Sequence, residues 1–542
     1  MPRYPVPEGL QAAPGVLALF EAIGPRYRWW VVVTSMLGTF ATLLTSTIVN
    51  VAIPDIMGAL GITLDQAQWL STAFLAAGTV TMLLTDWSMR ASGVRATFVV
   101  AMLVFLGGSV LGGVAPNADV LFLARVIQGG ASGVMMPIST VLISQVFPLS
   151  QRGRAMGLMS VGTVLAPALG PTLGGLLVDH LSWRWVFFMA VPVALIVLPM
   201  AQLFLPAREE QGARPPFDWT GVALCGLYLA LLLIGLSQAQ REGFNDDFVT
   251  LTLAGALVTF AAWIGWELRA PAPMLDLRLF LIPKFAAAAV VTLTVGVGLY
   301  GSTYLLPLFL QTVVGMVPTD SGLLLAPAGL AMAFMFPVAG WFADITSARR
   351  MILIGLGLFA LSMYPMAAAD TGTPFVAMML WYMVGRVGLA LVFPALTSAS
   401  LQPLTLAQLA QGAGITSFLR QLGGAIGVNA LTFVLQQRIA FYTSDFFTDV
   451  RWDNAAAFES IRLYLQEYTR LGMSGYRAFE LSFSQLFGSV AREALMMAYR
   501  DSFLVVMAVF VLTMLPAWFI DTSRRGGAAP AARAAITPAA AD

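Results

Sequence analysis

Charge is what this sequence has least of. Only 11% of its 542 residues are Asp, Glu, Lys or Arg, where a soluble globular chain carries roughly 25%. Cys225 is its one cysteine, which excludes an intramolecular disulfide and a cysteine-ligated metal. His180 is its one histidine, so there is no histidine metal site either. Lys284 is the single lysine. It sits in "LIPKFAA", with none of the glycines of a phosphate-binding loop, which argues against an ATP-driven pump within the chain. The net charge of +1 gives no footing for nucleic acid, and nothing implies a metal or another cofactor. What is abundant is apolar: 58% of residues are hydrophobic. So little polarity over this length cannot cover a water-facing surface, and the expectation is an all-α polytopic membrane protein.

A spanning helix needs about 20 mostly apolar residues. That criterion predicts fourteen spans: 29–52, 67–85, 96–115, 120–147, 155–178, 185–205, 218–237, 248–268, 285–312, 321–343, 350–369, 375–399, 412–436 and 501–520. Arginine placement sets the orientation. With the N-terminus inside, Arg90, Arg95, Arg152, Arg154, Arg208, Arg214, Arg269, Arg278, Arg349 and Arg350 all fall in cytoplasmic loops. The short outer loops hold mainly acids: Asp55, Asp65, Asp119, Asp179, Asp246, Asp247, Asp320 and Asp370. Both termini are therefore expected to be cytoplasmic.

Residues 1–28 carry Glu8 and Glu21 and lack the pattern of a cleavable signal. They read as a cytoplasmic lead-in, with an amphipathic surface helix through Leu17, Phe20 and Ile23. Residues 437–499 break the loop pattern. They are long, of mixed charge and aromatic, and "FESIRLYLQEYTRLG" has helical apolar spacing, so amphipathic helices outside the membrane are expected. The tail 521–542 is low in complexity and is expected to be disordered.

Two turns resemble each other. "DWSMRASGVR" (86–95) follows span two and "GWFADITSAR" (340–349) follows span ten, aligning Trp87 with Trp341 and Arg95 with Arg349. This implies two homologous six-helix halves, 29–205 and 284–520, joined by a linker, 206–283, that carries two inserted spans. Internal repeats of this kind are typical of secondary transporters, with the substrate site between the halves.

In span five, Gly162, Ala166, Gly170 and Gly174 recur every four residues, with Pro171 and Gly175 beside them in "GPTLGG". Small residues at that spacing let backbones approach closely in a membrane, and proline is tolerated there. Span one carries a polar stripe of Ser35, Thr39, Thr42, Ser46 and Asn50, with Thr45 at its edge; it can line a central cavity or hydrogen-bond a neighbouring helix. Arg125 lies well inside span four, on one face with Gln128 and Gly129. A buried arginine requires a partner or a wet cavity. No aspartate or glutamate lies mid-span; Asp55, Asp65, Asp86, Asp218, Glu267, Asp320 and Asp344 sit at span ends.

In order along the chain stand "STIVNVAIP" (46–54), "ARVIQGGASG" (124–133), "GPTLGG" (170–175) with "WRWVFFM" (183–189), "PMLDLRLF" (273–280), "YLLPLFLQ" (304–311) and "FLRQLGGAIG" (418–427). Over roughly residues 29–520 they resemble the motifs of the major facilitator superfamily, and more closely those of its fourteen-helix drug:proton antiporters of the EmrB/QacA type.

The resemblance implies a major facilitator fold in the bacterial inner membrane and export of lipophilic or amphipathic small molecules in exchange for protons. It implies that the glycine face of span five seals the two halves, that Arg125 takes part in proton coupling, and that the two turns act as gates. In the second turn Asp344, Arg349 and Arg350 keep the gating pattern. In the first, Arg90 occupies the aspartate position, while Asp86 and Arg95 are available. The group commonly has an acid at the position of Thr45; without it, Asp55 becomes the first candidate to carry the proton. A cavity of Thr42, Thr45, Ser46, Asn50, Gln128, Tyr300, Tyr304 and Gln311, with Met135, Met136, Met332 and Met335, would suit varied apolar shapes. The 437–499 segment could dock a periplasmic membrane-fusion adaptor or form a self-contained cap. A dedicated metabolite exporter, and a polytopic membrane enzyme, are the alternative readings.

Overall fold

Hydrocarbon offers a backbone N–H or C=O no partner, so a chain this apolar has to satisfy its backbone within helices or a closed barrel. It does so with helices. The computed structural model describes residues 14–520 apart from 63, 149–150, 208–215, 244–245, 272, 317 and 450–454; the expected disordered tail lies outside the described residues. Among them every regular element is helical. The first half comprises α1 (Pro14–Ile23), α2 (Tyr27–Leu60), α3 (Leu64–Leu83), α4 (Thr85–Ser92), α5 (Val94–Gly113), α6 (Ala118–Val146), α7 (Arg152–His180), α8 (Trp185–Phe188) and α9 (Ala190–Phe204). Next come α10 (Trp219–Glu242) and α11 (Asp247–Glu267). The second half comprises α12 (Pro283–Thr312), α13 (Pro318–Ile345), α14 (Ala348–Ala367), α15 (Phe375–Leu401), α16 (Leu409–Asp449), α17 (Ala455–Arg470) and α18 (Gly475–Trp518). Twelve stretches among the described residues are long and apolar enough to cross a membrane. The 29-residue α7 and α3, with its shorter apolar stretch Trp69–Leu83, fill the two other expected positions.

Side chains cap several helices where they emerge. Asn117 accepts from the Val120 amide (3.0 Å), Asp218 from Gly221 (2.8 Å) and Asp246 from Val249 (3.1 Å), each satisfying one orphan amide. The first long helix runs further than its apolar stretch: α2 continues past position 52 to Leu60 and stops at Gly61, whose φ of 64° suits glycine.

The halves repeat each other in three dimensions. α2 packs on α6, α7 and α9; its counterpart α12 packs on α15, α16 and α18. α3 lies on α6 as α13 lies on α15, and α5 touches α6 and α9 as α14 touches α15 and α18. One large apolar core lies within the second half, and another lies in the first half and takes in Leu401, Leu409, Ala410 and Ala413 of the second. Val16 and Phe20 of α1 are buried in the latter. α10 and α11 pack on each other, and α10 reaches both α3 and α16. Beyond the bundle, α16 and α18 continue as unbroken helices, and α17 packs along α18. Asp501 ties the extensions together, accepting from the Tyr442 hydroxyl at 2.9 Å and lying 3.2 Å from Arg438 Nε. Of the aromatic residues of this segment, Trp452 and the Phe447 and Phe458 side chains lie outside the described residues.

The small face of α7 has a different partner from the one its resemblance implies. A Cβ on Gly162 would lie 2.6 Å from Met36 Cγ, one on Gly170 would strike the Thr47 hydroxyl, and one on Gly174 would lie 3.0 Å from the Ile48 carbonyl. All three neighbours belong to α2, in the same half. Ala166 is buried on the same face, the Pro171 side chain lies outside what is described, and Gly175 has open space. The opposite half is met by Gly153 and Gly157, which sit against Gly340 of α13. At 100° per residue the step from Gly157 to Gly162 turns roughly 140° around the helix, so α7 offers one small face to each neighbour.

Gly170→Leu should therefore overpack the α2–α7 contact, at a cost of ~1–3 kcal/mol, and lower the thermal unfolding midpoint of the purified protein. Gly175→Leu, which meets nothing, should leave it unchanged. Equal midpoints for the two variants would show that the α2–α7 approach is not tight.

Candidate functional site

Among the described residues, three arginines lie well inside the helical bundle, and they are satisfied unequally. Arg125 on α6 is fully buried. Its Nε donates to the Leu70 carbonyl at 2.8 Å, and its Nη1 to the Thr45 carbonyl at 3.3 Å and to Gln128 Oε1 at 3.2 Å. Gln128 in turn donates to Ser109 at 2.9 Å. The guanidinium stands 4.2 Å from the Phe74 ring centroid, and its Nη2 has no partner. Arg125 thus ties α6 to α2 and α3 with a donor to spare and no carboxylate. Arg386 on α15 does the same for the second half, donating to the Tyr382 hydroxyl, to Thr303 Oγ1 at 2.7 Å and to Ser302 Oγ at 3.3 Å. Arg420 on α16 is half-buried at the seam, with its Nη2 3.0 Å from Met136 Sδ of α6 and its guanidinium 5.5 Å from the Phe393 ring.

The expected cavity residues divide. Thr42, Thr45 and Gln128 are buried: Thr42 donates to the Thr39 carbonyl (2.9 Å) and Thr45 to the Ala41 carbonyl (3.0 Å). Ser35 and Thr39, at the start of the polar stripe, are also buried, with Thr39 and Ser139 hydroxyls 3.1 Å apart across α2 and α6. Ser46 is half-buried. Asn50 is exposed, its Oδ1 accepting from Ser71 at 2.6 Å. On α12, Tyr300 and Tyr304 are each 37% exposed, and Gln311 is exposed. The Tyr300 hydroxyl donates to Gln421 Oε1 at 3.2 Å. Met136 and Met335 are half-buried, while Met135 and Met332 belong to the cores. Asp55 is exposed on the last turns of α2.

The two turns lie at one end of the bundle and close it in unlike ways. Asp344, at the end of α13, reaches the N-terminus of α7 in the other half, accepting from the Gly153 amide at 2.8 Å and the Arg154 amide at 3.1 Å, with Arg154 Nε at 3.7 Å. A carboxylate on orphan amides at the positive end of a helix is well placed. Gly153 and Gly340 allow it, because a Cβ on either would strike the other's carbonyl. In the first copy Arg90 replaces the aspartate, and an arginine cannot cap a helix start. It pairs instead with Asp86 at 2.8 Å and donates across the halves to the Ala407 carbonyl at 3.3 Å. Burial pushes the Asp86 carboxyl above the usual range, with Arg90 opposing. The start of the α16 segment has its own arrangement, Gln408 Oε1 accepting from the Thr405 amide at 3.1 Å. The paired arginines behave alike: Arg95 Nε donates to the Leu205 carbonyl just beyond α9 (2.6 Å), and Arg349 Nε to the Ile520 carbonyl just beyond α18 (3.3 Å). Each binds the negative end of the last helix of its half.

Sequence reasoning passed over the roles of four residues. Arg154, Gly153 and Gly340 complete the Asp344 closure, and only the glycine pair carried any sequence signal. Glu267, at the end of α11, is buried, accepting from Trp263 Nε1 at 2.9 Å and the Leu275 amide at 3.1 Å. It pins the linker to the inserted helix pair.

Comparison with known proteins gives a consistent result. The family model described as Major Facilitator Superfamily matches residues 35–428. The chain is 32% identical to the multidrug export protein EmrB of Haemophilus influenzae over 408 residues, 75% of this chain and 80% of that one. It is 32% identical to the fatty acid resistance protein FarB of Neisseria gonorrhoeae over 425 residues, 77% and 82% of the two chains. The EmrB protein of Escherichia coli K12 is 29% identical over 485 residues, 89% of this chain and 93% of that one. Among solved structures, the human organic anion transporter MFSD10 superposes with a TM-score of 0.60 at 14% identity, covering 90% of this chain and 99% of that one. The proton:xylose symporter XylE gives 0.55 at 13%, covering 86% and 94%. At these identities the structural likeness concerns the fold alone.

Asp344→Asn removes the charge from the α7 N-terminus, worth about 1 kcal/mol. Amide hydrogen exchange at residues 152–158 should then quicken by about fivefold, with residues 409–415 unchanged. Equal protection in variant and parent would show that Asp344 does not hold this end.

Proposed function

The chain belongs to the Major Facilitator Superfamily, and on that premise we propose that it is a secondary exporter of lipophilic or amphipathic compounds, exchanging them for protons by alternating access. The observation that carries this reading is the pair of pseudo-equivalent halves held together at one end by Asp344 on the α7 amides. A contact of two charge-assisted hydrogen bonds can be broken and remade as the halves rock. The export function of relatives such as EmrB supports the direction of transport. The end that carries Asp344, Arg90 and Arg349 faces the cytoplasm of a bacterial inner membrane, and both termini lie on that side, in keeping with the arginine bias of its loops. The substrate enters between the halves, lined by Asn50, Ser46, Tyr300, Tyr304 and Gln311.

Arg125 serves proton coupling. Its spare donor and its grip on the Thr45 carbonyl make the α2–α6 contact responsive to a carboxylate brought near it. Asp55 is the acid closest in sequence to that helix segment. A proton falling through ~150 mV releases about 3.5 kcal/mol, enough for roughly a 300-fold gradient of a neutral compound at one-to-one exchange. The helices α16, α17 and α18 project beyond the bundle on the opposite side and offer a periplasmic membrane-fusion adaptor a docking surface.

In a host lacking its own pumps, the protein should lower accumulation of a lipophilic dye, and a protonophore should abolish the effect. Efflux that survives collapse of the proton gradient would refute antiport. Arg125→Ala should abolish proton-driven efflux. Arg125→Lys should recover part of it, since lysine supplies charge but not the planar fork; full activity of Arg125→Ala would remove the residue from the coupling scheme.

A further inference from the structure

We propose that the seam between the halves holds the head group of an amphiphilic monoanion, with the Arg420 guanidinium as its receptor. This deepens the exporter reading and rests on it for the direction of transport. The contrast among the bundle arginines carries it. Arg125 donates to three oxygens and Arg386 to three hydroxyls, all within their own halves. Among the described residues no oxygen accepts a hydrogen bond from Arg420: it meets the Met136 sulfur and the Phe393 ring, with the Tyr300 side chain near enough to interact electrostatically. No carboxylate pairs with it among the described residues. Sulfur is a weak acceptor, so a five-donor fork is held at the seam with its hydrogen-bonding capacity largely unused. Planar, paired donors are matched bidentately by a carboxylate or a similar oxyanion.

The position suits a ligand. Arg420 is half-buried where α6 of the first half meets α15 and α16 of the second. The next residue, Gln421, accepts from the Tyr300 hydroxyl, and the Tyr300 ring rests against Gly424, where a Cβ would displace it. The partly exposed faces of Tyr300 and Tyr304 with Met136 give an apolar tail an adaptable surface beside the charge. No acid lies mid-span to repel an anion or to attract a cation. An organic cation would face a guanidinium that no carboxylate among the described residues offsets.

Competition binding on the full chain in lipid nanodiscs tests this, using radiolabelled dodecanoate displaced by unlabelled dodecanoate, dodecanol or dodecyltrimethylammonium. The chains are of equal length, so the head group decides the ranking. In the parent protein dodecanoate should compete at least tenfold better than either of the others. Arg420→Gln should reduce that preference at least fivefold with dodecanol affinity unchanged, and Arg420→Lys should keep part of it. Dodecyltrimethylammonium competing as well as dodecanoate, no saturable dodecanoate binding, or an unchanged ratio in Arg420→Gln would each overturn the proposal. If Arg420→Gln does not fold, the ligand series on the parent still decides. Failure of the exporter reading would show separately, as absent dye efflux with the anion preference intact.

Discussion

A charge inside hydrocarbon has to be answered by the protein, and that requirement organises this molecule. At a helix centre an arginine costs at least ~2.5–3.5 kcal/mol, more than a cation–π contact of ~0.5–2 kcal/mol returns. Arg125 and Arg386 meet the cost with oxygens on neighbouring helices, and in doing so each fixes the arrangement of its own half. The rest of the bundle interior is left almost free of charge and packs as apolar cores, one within the second half and one that joins the first half to Leu401, Leu409, Ala410 and Ala413. The halves meet along two seams, α7 on α13 and α15, and α16 on α3, α4 and α6. The first seam holds the glycine approach of α7 to α13 and the carboxylate on the α7 amides.

The two ends of the internal repeat show how one motif can keep its anchoring role and lose its latching role. Arg95 and Arg349 hold equivalent carbonyls at the ends of α9 and α18, so both copies still fasten their own half. The aspartate survives only in the second copy. Helix N-termini attract anions, and Arg90 at the matching place turns away to a carboxylate and a carbonyl. The closure is thereby concentrated on one side of the pseudo-two-fold, on α7 and α13, with the weaker Arg90–Ala407 contact on the other. The inserted helix α10 lies against this second seam, touching both α3 and α16, with α11 packed on it.

Much of this was legible in the sequence, because a bilayer imposes one length and one secondary structure on every span. The repeat was read from Trp87, Arg95, Trp341 and Arg349, and in the structure Arg95 and Arg349 each hold a carbonyl just beyond the last helix of their half. Periodicity identified the small face of α7 but not its neighbour: a stripe says which residues share a side, whereas the packing that puts Gly170 on Thr47 is decided by all the helices at once. The polar stripe of span one divides, with Thr42 and Thr45 buried, Ser46 half-buried and Asn50 exposed. Thr42 and Thr45 spend their hydroxyls on their own helix, an option open to any threonine and invisible in composition. The end of α2 and the helical extensions of α16 and α18 were hidden because hydropathy reports where apolar sequence stops, not where a helix stops.

The central claim is that two rigid halves pivot, closing one end as the other opens. Cys225 is buried, so introduced cysteines can carry spin labels against a quiet background. Electron–electron distance measurements on two pairs, Ser92 with Ile345 at the arginine end and Leu181 with Val376 at the opposite end, read both gates in the same preparation. The account predicts a short, narrow 92–345 distribution at rest that lengthens under a proton gradient with substrate, while the 181–376 distance shortens. Two distances that stay fixed, or that change in the same direction, would contradict it.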